Sequence, residues 1–222
     1  MTEVEWLASE SPLLMIRAVQ ERVGARKWRL FCCGLCRGIW DEVADARCRA
    51  AVEVAERYAD GQADAHELSA AGSAVSRFRA ECDEARRLDA AAGPFRWVVP
   101  VLYALRPTPL PTEAIGQARP APRDGESTDE RYARARARNV ALLRDILGNP
   151  FRTVNFSPEW RTDTVLALVA QMYDSRDFGA MPILADALQD AGCESDDILN
   201  HCRGDGPHVR GCWVVDRVVG KE

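Results

Sequence analysis

Apolar residues recur at three- and four-residue steps through almost the whole chain, and two-residue alternation is confined to 212–219. That period is the spacing of one face of an α-helix, so it excludes a core built from sheets. The clearest case is ARKWRLFCCGLCRGIWDEVADA (25–46). Trp28, Phe31, Cys32, Leu35, Ile39 and Val43 fall on one stripe there, and Arg26, Arg37 and Asp41 lie off it. On this spacing Ile39 faces a core and Arg37 faces away from it. The predicted fold class is all-α, with about eight to ten helices in two packed halves.

Other segments fit the same reading. Ser11-Pro12 opens a helix, with serine as cap and proline in the first turn. One helix covers about 47–60, and an alanine- and charge-rich one covers about 65–91 with a narrow seam of Leu68, Val75, Phe78 and Leu88. PFRWVVPVLYAL (94–105) reads as a short helix broken near Pro100. Thr128 caps a helix over 128–147, which Gly148-Asn149-Pro150 stops. FRTVNFSPEWRTD (151–163) reads as irregular, and helices follow over 163–174, 180–191 and 195–203. The valine-rich tail after Pro207 fits helix or strand. The lack of a pairing strand favours helix.

Seven of the twelve prolines lie between 94 and 122, and 106–127 is dominated by Pro, Gly and polar residues. The stretch reads as a linker between an N-terminal helical half (1–105) and a C-terminal one (128–222).

Composition removes several function classes. The longest apolar runs, such as WVVPVLYAL (97–105), fall far short of the roughly 20 residues that span a bilayer. The opening MTEVEWLASESP lacks a basic-then-apolar signal, so a cytoplasmic protein is expected. Net charge is −5, which argues against a dedicated nucleic-acid binder. The basic runs Arg22–Arg37 and Arg131–Arg144 read as solvated faces that pair in part with the acidic stretch 174–205. Of the 29 basic residues all but Lys27 and Lys221 are arginine, which reads as compositional bias. The eight cysteines, without a secretion signal, are reduced thiols or metal ligands rather than a disulfide framework.

Five strings carry a resemblance: LFCCGLCRGIW (30–40), RAAVEVAERYADG (49–61), LLRDILGNPFR (142–152), MPILADALQDAGC (181–193) and HCRGDGPHVRGCWVVDRVVGKE (201–222). They resemble a large, lineage-expanded family of uncharacterised bacterial proteins, with LFxxxxCRxIW near the N-terminus and HCRxxGPHVRGCWVVDxxxGKE at the C-terminus. The resemblance implies a stand-alone intracellular helical protein. It assigns no activity and carries over no functional residue.

The strong catalytic and nucleotide-binding motifs are missing: no GxGxxG, GxxxxGK[ST], HExxH or GxSxG occurs. Among Cys33, Cys36, His201, Cys202, His208 and Cys212, two pairs stand at ligand spacing, Cys33-x-x-Cys36 and His208-x-x-x-Cys212. Zinc takes three or four N and S ligands, so joining the pairs would tie both chain ends to one ion. Against this, Cys33 and Cys36 lie mid-helix rather than on a knuckle turn. The expected reading is therefore packing thiols, no cofactor and well under one zinc per chain. A thiol enzyme would use Cys212 as nucleophile, His208 as base and Asp216 as orienter, at successive helical turns. His201 and Asp197 read as a surface pair.

The leading functional reading is a non-enzymatic interaction or regulatory module whose partner is another protein. Structural zinc binding through Cys33, Cys36, His208 and Cys212 is one alternative, and a Cys-dependent enzyme is the other. The missing motifs weigh toward a non-enzyme.

Overall fold

The computed structural model describes residues 1–88 and 97–221. Within them the chain is all-helical, with twelve α-helices and no strand. In order these are α1 (Glu3–Ala8), α2 (Pro12–Val19), α3 (Ala25–Arg37), α4 (Ala46–Ala59), α5 (Ala65–Leu88), α6 (Val98–Ala104), α7 (Pro111–Gln117), α8 (Thr128–Leu147), α9 (Asp163–Ser175), α10 (Met181–Asp190), α11 (Asp196–Arg203) and α12 (Trp213–Val219). Single 3-10 turns stand at Trp40–Glu42 and Pro158–Trp160. Among the described residues no helix is long and apolar enough to cross a membrane. The end of the expected 65–91 helix and the start of the expected 94–105 helix lie outside the described residues.

The all-α expectation holds, and the helix count exceeds the expected eight to ten because α1 and α7 form where the sequence reading places no helix. At α1, Thr2 and Glu5 close a reciprocal capping box: the Thr2 N–H donates to Glu5 Oε2 (2.7 Å) and the Glu5 N–H donates to Thr2 Oγ1 (3.3 Å). At α7, Pro111 supplies the pre-set φ of a first helical residue. Pro100 does not break α6, because it is the third residue of that helix and its missing N–H would have had no helical partner. Ser127 rather than Thr128 caps α8, accepting from the Glu130 N–H at 3.2 Å. Of the tail, only Trp213–Val219 forms a helix, α12; His208 lies in the non-helical stretch 204–212 before it, so His208 and Cys212 do not stand on successive turns of one helix.

The chain divides into two compact units, Met1–Val19 with Val140–Glu222, and Gln20–Asn139. This grouping differs from the expected halves 1–105 and 128–222. Residues 106–127 are not a linker between the units but part of the second one. Their apolar side chains find a surface there: Pro111, Ala114 and Ile115 are buried, and α7 lies against α3 and α6.

In the unit Gln20–Asn139, α3 packs against α4, α6 and α7. Every residue from Trp28 to Cys36 is buried, so α3 is enclosed all round rather than along one stripe. The expected outward face of Arg37 is corrected accordingly. Its guanidinium forks onto the Glu56 carboxylate with two bonds of 2.8 Å and lies 3.8 Å from the Trp40 ring centroid. Arg26 likewise reaches Asp60 at 2.8 Å. In the unit Met1–Val19 with Val140–Glu222, one apolar cluster joins Val165, Val169 and Met172 of α9 with Met181, Leu184 and Leu188 of α10, Ile198 of α11 and Val214, Val215 and Val218 of α12.

Arginine stitches the short helices of each unit. The last carbonyls of a helix have no partner within it, and a planar guanidinium donates to several at once. Arg144 Nη2 donates to the carbonyls of Trp6, Leu7 and Ser9 at 2.7–3.1 Å, closing α1. Arg29 is 2% exposed and reaches the carbonyls of Ala104, Arg106 and Pro107 at 2.6–3.0 Å, closing α6. Arg161 grips the end of α12 through the carbonyls of Arg217 and Val218. Arg138 bridges the carbonyls of Gly38 and Ala118, and a Cβ on Gly38 would stand 2.6 Å from its Nη1. The arginine excess therefore has a structural use in this fold. The run expected to be solvated, Arg131 to Arg144, is largely spent on the chain's own carbonyls and on Glu126.

Candidate metal centre

Four side chains converge in the unit Met1–Val19 with Val140–Glu222. Asp145 comes from the last turn of α8, His201 from α11, His208 from the following loop, and Cys212 is the residue that opens α12. The local sequence fixes each of them. Gly148 ends α8 at φ +62° and carries the Trp213 ring where a Cβ would be 3.0 Å away. That ring in turn lies 5.2 Å from His201. The Val209 N–H donates to Asp145 Oδ2 at 3.1 Å, which draws the 204–212 loop onto α8. His208 Nε2 stands 3.2 Å from the Gly204 carbonyl, so that edge of the ring is anchored and Nδ1 is turned inward.

One ligand atom from each residue lies within 4.8 Å of all the others. His208 Nδ1 is 2.9 Å from Asp145 Oδ1, His201 Nε2 is 3.2 Å from the same oxygen, and His201 Nε2 is 3.1 Å from Cys212 Sγ. A tetrahedral zinc with bonds of about 2.0–2.3 Å sets its ligands roughly 3.3–3.7 Å apart. The group is therefore nearly at ligand spacing already. One carboxylate beside two imidazoles and a thiol suits zinc rather than calcium or magnesium, which demand oxygen cages. The outer contacts also match a metal site: the far nitrogen of His208 meets a carbonyl, and the second carboxylate oxygen accepts a backbone N–H.

The protonation pattern of the metal-free group follows from burial and contact. Burial pushes the Asp145 carboxyl up, but hydrogen bonds from His201 and His208 outweigh it and hold the group below its ordinary value. Burial pushes His208 down, and the Asp145 contact more than reverses this, so its net shift is upward. Burial and the Asp145 charge raise the Cys212 thiol well above its ordinary value, against a smaller pull from the Val214 and Val215 N–H groups. Cys212 is thus a neutral thiol in the metal-free state and a poor nucleophile at neutral pH.

The same geometry bears on the thiol-enzyme arrangement of Cys212, His208 and Asp216. A nucleophile and its orienting acid must contact opposite nitrogens of the base. Here His201, not His208, meets the thiol, and the thiol and the carboxylate share one nitrogen, Nε2. Asp216 is turned to the Tyr173 hydroxyl, which donates to it. Tyr173 also collects Arg210 and Lys221 over its ring, at 5.0 and 4.7 Å. Within the C-terminal string, His201, His208 and Cys212 join the Asp145 cluster, Arg210, Asp216 and Lys221 gather at Tyr173, and Arg203 reaches Asp186 and Gln189.

Of the four sequence candidates, His208 and Cys212 come together, and they do so with Asp145 and His201 rather than with Cys33 and Cys36. Cys33 and Cys36 are buried on α3, in the other unit, with Cys33 Sγ 4.0 Å from the Val52 carbonyl. Burial raises both thiols strongly. None of the eight cysteines is in a disulfide. His201 is not paired with Asp197, whose carboxylate meets Arg152 at 3.2 Å. Asp145 escaped the sequence reading. Its signal was an acid placed where the stripe of Leu142, Leu143 and Ile146 calls for an apolar residue, in a helical last turn where negative charge is disfavoured.

Comparison with protein-family models, with curated proteins and with solved structures gave no match for this chain.

Proposed function

We propose that this chain is a non-enzymatic helical module held together by a structural zinc ion at Asp145, His201, His208 and Cys212, and that it acts by binding another protein. The observation that carries the metal reading is the convergence of four ligand atoms within 4.8 Å, with both histidines near one carboxylate oxygen. Two neutral imidazoles, one carboxylate and one thiolate balance a divalent ion, so the buried centre carries no net charge. Zinc would take its place by displacing one proton from His208 and one from Cys212. Four protein ligands close the coordination sphere, which is the pattern of a structural site rather than a catalytic one. A closed centre favours recognition over turnover, in keeping with the missing catalytic motifs.

The test is metal analysis of protein purified without chelator. Close to one zinc per chain is expected. Asp145→Asn and Cys212→Ser each lower zinc affinity at least tenfold, whereas Cys33→Ser and Cys36→Ser leave the stoichiometry of the folded protein unchanged. Metal-free protein whose melting temperature does not move on adding zinc would overturn the reading.

A further inference from the structure

The unit Gln20–Asn139 carries a cavity of about 710 Å³ between α5 and α6 that the metal centre does not explain. Its inner wall is apolar, from Tyr58, Leu68, Leu102 and Leu105, with Leu68 and Leu105 buried. Its outer edge is polar: Ser69, Ser73 and Ser76 line it from one side of α5, and Arg77 and Arg106 stand exposed beside them. The size falls in the range of small-molecule sites, and an apolar wall with a few convergent polar groups is their usual make-up.

Two further observations point to a ligand. The wall formed by residues 105–107 is held by Arg29, a residue 2% exposed, whose guanidinium donates to the Arg106 and Pro107 carbonyls and lies 4.8 Å from the Tyr58 ring centroid. The groups set around Arg29 are neutral: backbone carbonyls, the Tyr58 ring and the thiols of Cys32 and Cys33. Its charge therefore adds to that of Arg77 and Arg106 on this side of the unit. The second observation is Gly72, in the middle of the 24-residue α5. Glycine is a poor helix former. A Cβ here would find only the Leu105 Cβ, at 3.9 Å, so packing does not require the glycine. Gly72 lines the cavity, so a larger side chain at this position would project toward it.

We propose that this cavity binds an amphiphilic anion: one carboxylate or phosphate head on a hydrocarbon body of about ten carbons. The head sits at Arg77 and Arg106, within reach of the serine hydroxyls, and the hydrocarbon lies on Leu68, Leu102 and Leu105. The proposal does not depend on the metal reading, because none of these residues belongs to the Asp145 cluster.

Isothermal titration of the full chain with decanoate, decyl phosphate, decyltrimethylammonium and inorganic phosphate tests it. Saturable one-to-one binding of decanoate or decyl phosphate is expected, and the tighter of the two identifies the head group. Arg77→Gln with Arg106→Gln should weaken it at least tenfold, and Gly72→Leu should abolish it by filling the cavity while α5 stays helical by circular dichroism. If Gly72→Leu does not fold, the double arginine variant decides. No saturable binding of either anion overturns the proposal. So does equal affinity for the cationic amphiphile or for inorganic phosphate, and so does unchanged affinity in the double arginine variant.

Discussion

At the scale of the residue, His208 and Asp145 set opposite demands on the metal-free protein and on the zinc-loaded one. Asp145 is held below its ordinary 3.8, so its contribution to stability is present above 3.8 and is lost as pH falls through the lowered value. His208 is held above its ordinary 6.5, so its contribution is present below 6.5 and is lost as pH rises through the raised value. The metal-free protein should therefore lose stability from mildly acidic to mildly alkaline pH. Zinc competes with the protons on His208 and Cys212, so the zinc-loaded protein should gain stability over the same span. Melting temperatures from about pH 5 to about pH 8, with chelator and with zinc, should run in opposite directions. Parallel curves would mean that no metal replaces the proton shared by Asp145 and His208.

At the scale of the element, α3 shows how a helical stripe misleads when a helix is enclosed on every side. Ile39, just beyond its end, is buried as its spacing predicts, and Ile39→Asp should cost several kcal/mol by burying an unpaired charge. Arg37 was expected to be dispensable on the same spacing. It instead forks onto Glu56, whose side chain is 3% exposed. Arg37→Ala removes that two-bond fork from a buried carboxylate, and should cost about 3 kcal/mol. Adding Glu56→Gln should restore part of the loss, because a neutral amide is less costly to bury than a carboxylate that has lost the Arg37 fork. Urea denaturation of the three variants checks both statements. A neutral Arg37→Ala would mean that Glu56 finds another cation or water.

The shorter elements teach a related lesson. The residues of α1 and α7 are too few to show an apolar period, and a helix of about six residues has little stability of its own. Both are sustained by tertiary contacts: the Arg144 clamp on α1, and the packing of α7 on α3 and α6.

At the scale of the whole molecule, all four ligands of the candidate centre come from one compact unit, although Asp145 and Cys212 are far apart in sequence. A bound ion would close the chain between them and stabilise the folded form of that unit directly. Chelation should therefore raise amide hydrogen exchange across α11, α12 and the end of α8. Exchange in α3 and α4 should stay unchanged. Uniform loss of protection through both units would show that the chain unfolds as one cooperative body, and unchanged exchange everywhere would show that no ion was holding the centre.

The sequence by itself determined the helical class, most long helices and the buried state of most cysteines, because these follow from local spacing and the apolar character of short segments. It also marked His208 and Cys212, whose separation is short enough to read directly. Only the tertiary structure decided their partners. Asp145 and His201 reach the cluster through the end of α8 and the inward face of α11, and neither has a local partner in sequence that announces it. The same holds for the arginines. Composition counts them, but a guanidinium donates to whichever unpaired carbonyls the fold brings within about 3 Å, and those belong to distant helix ends.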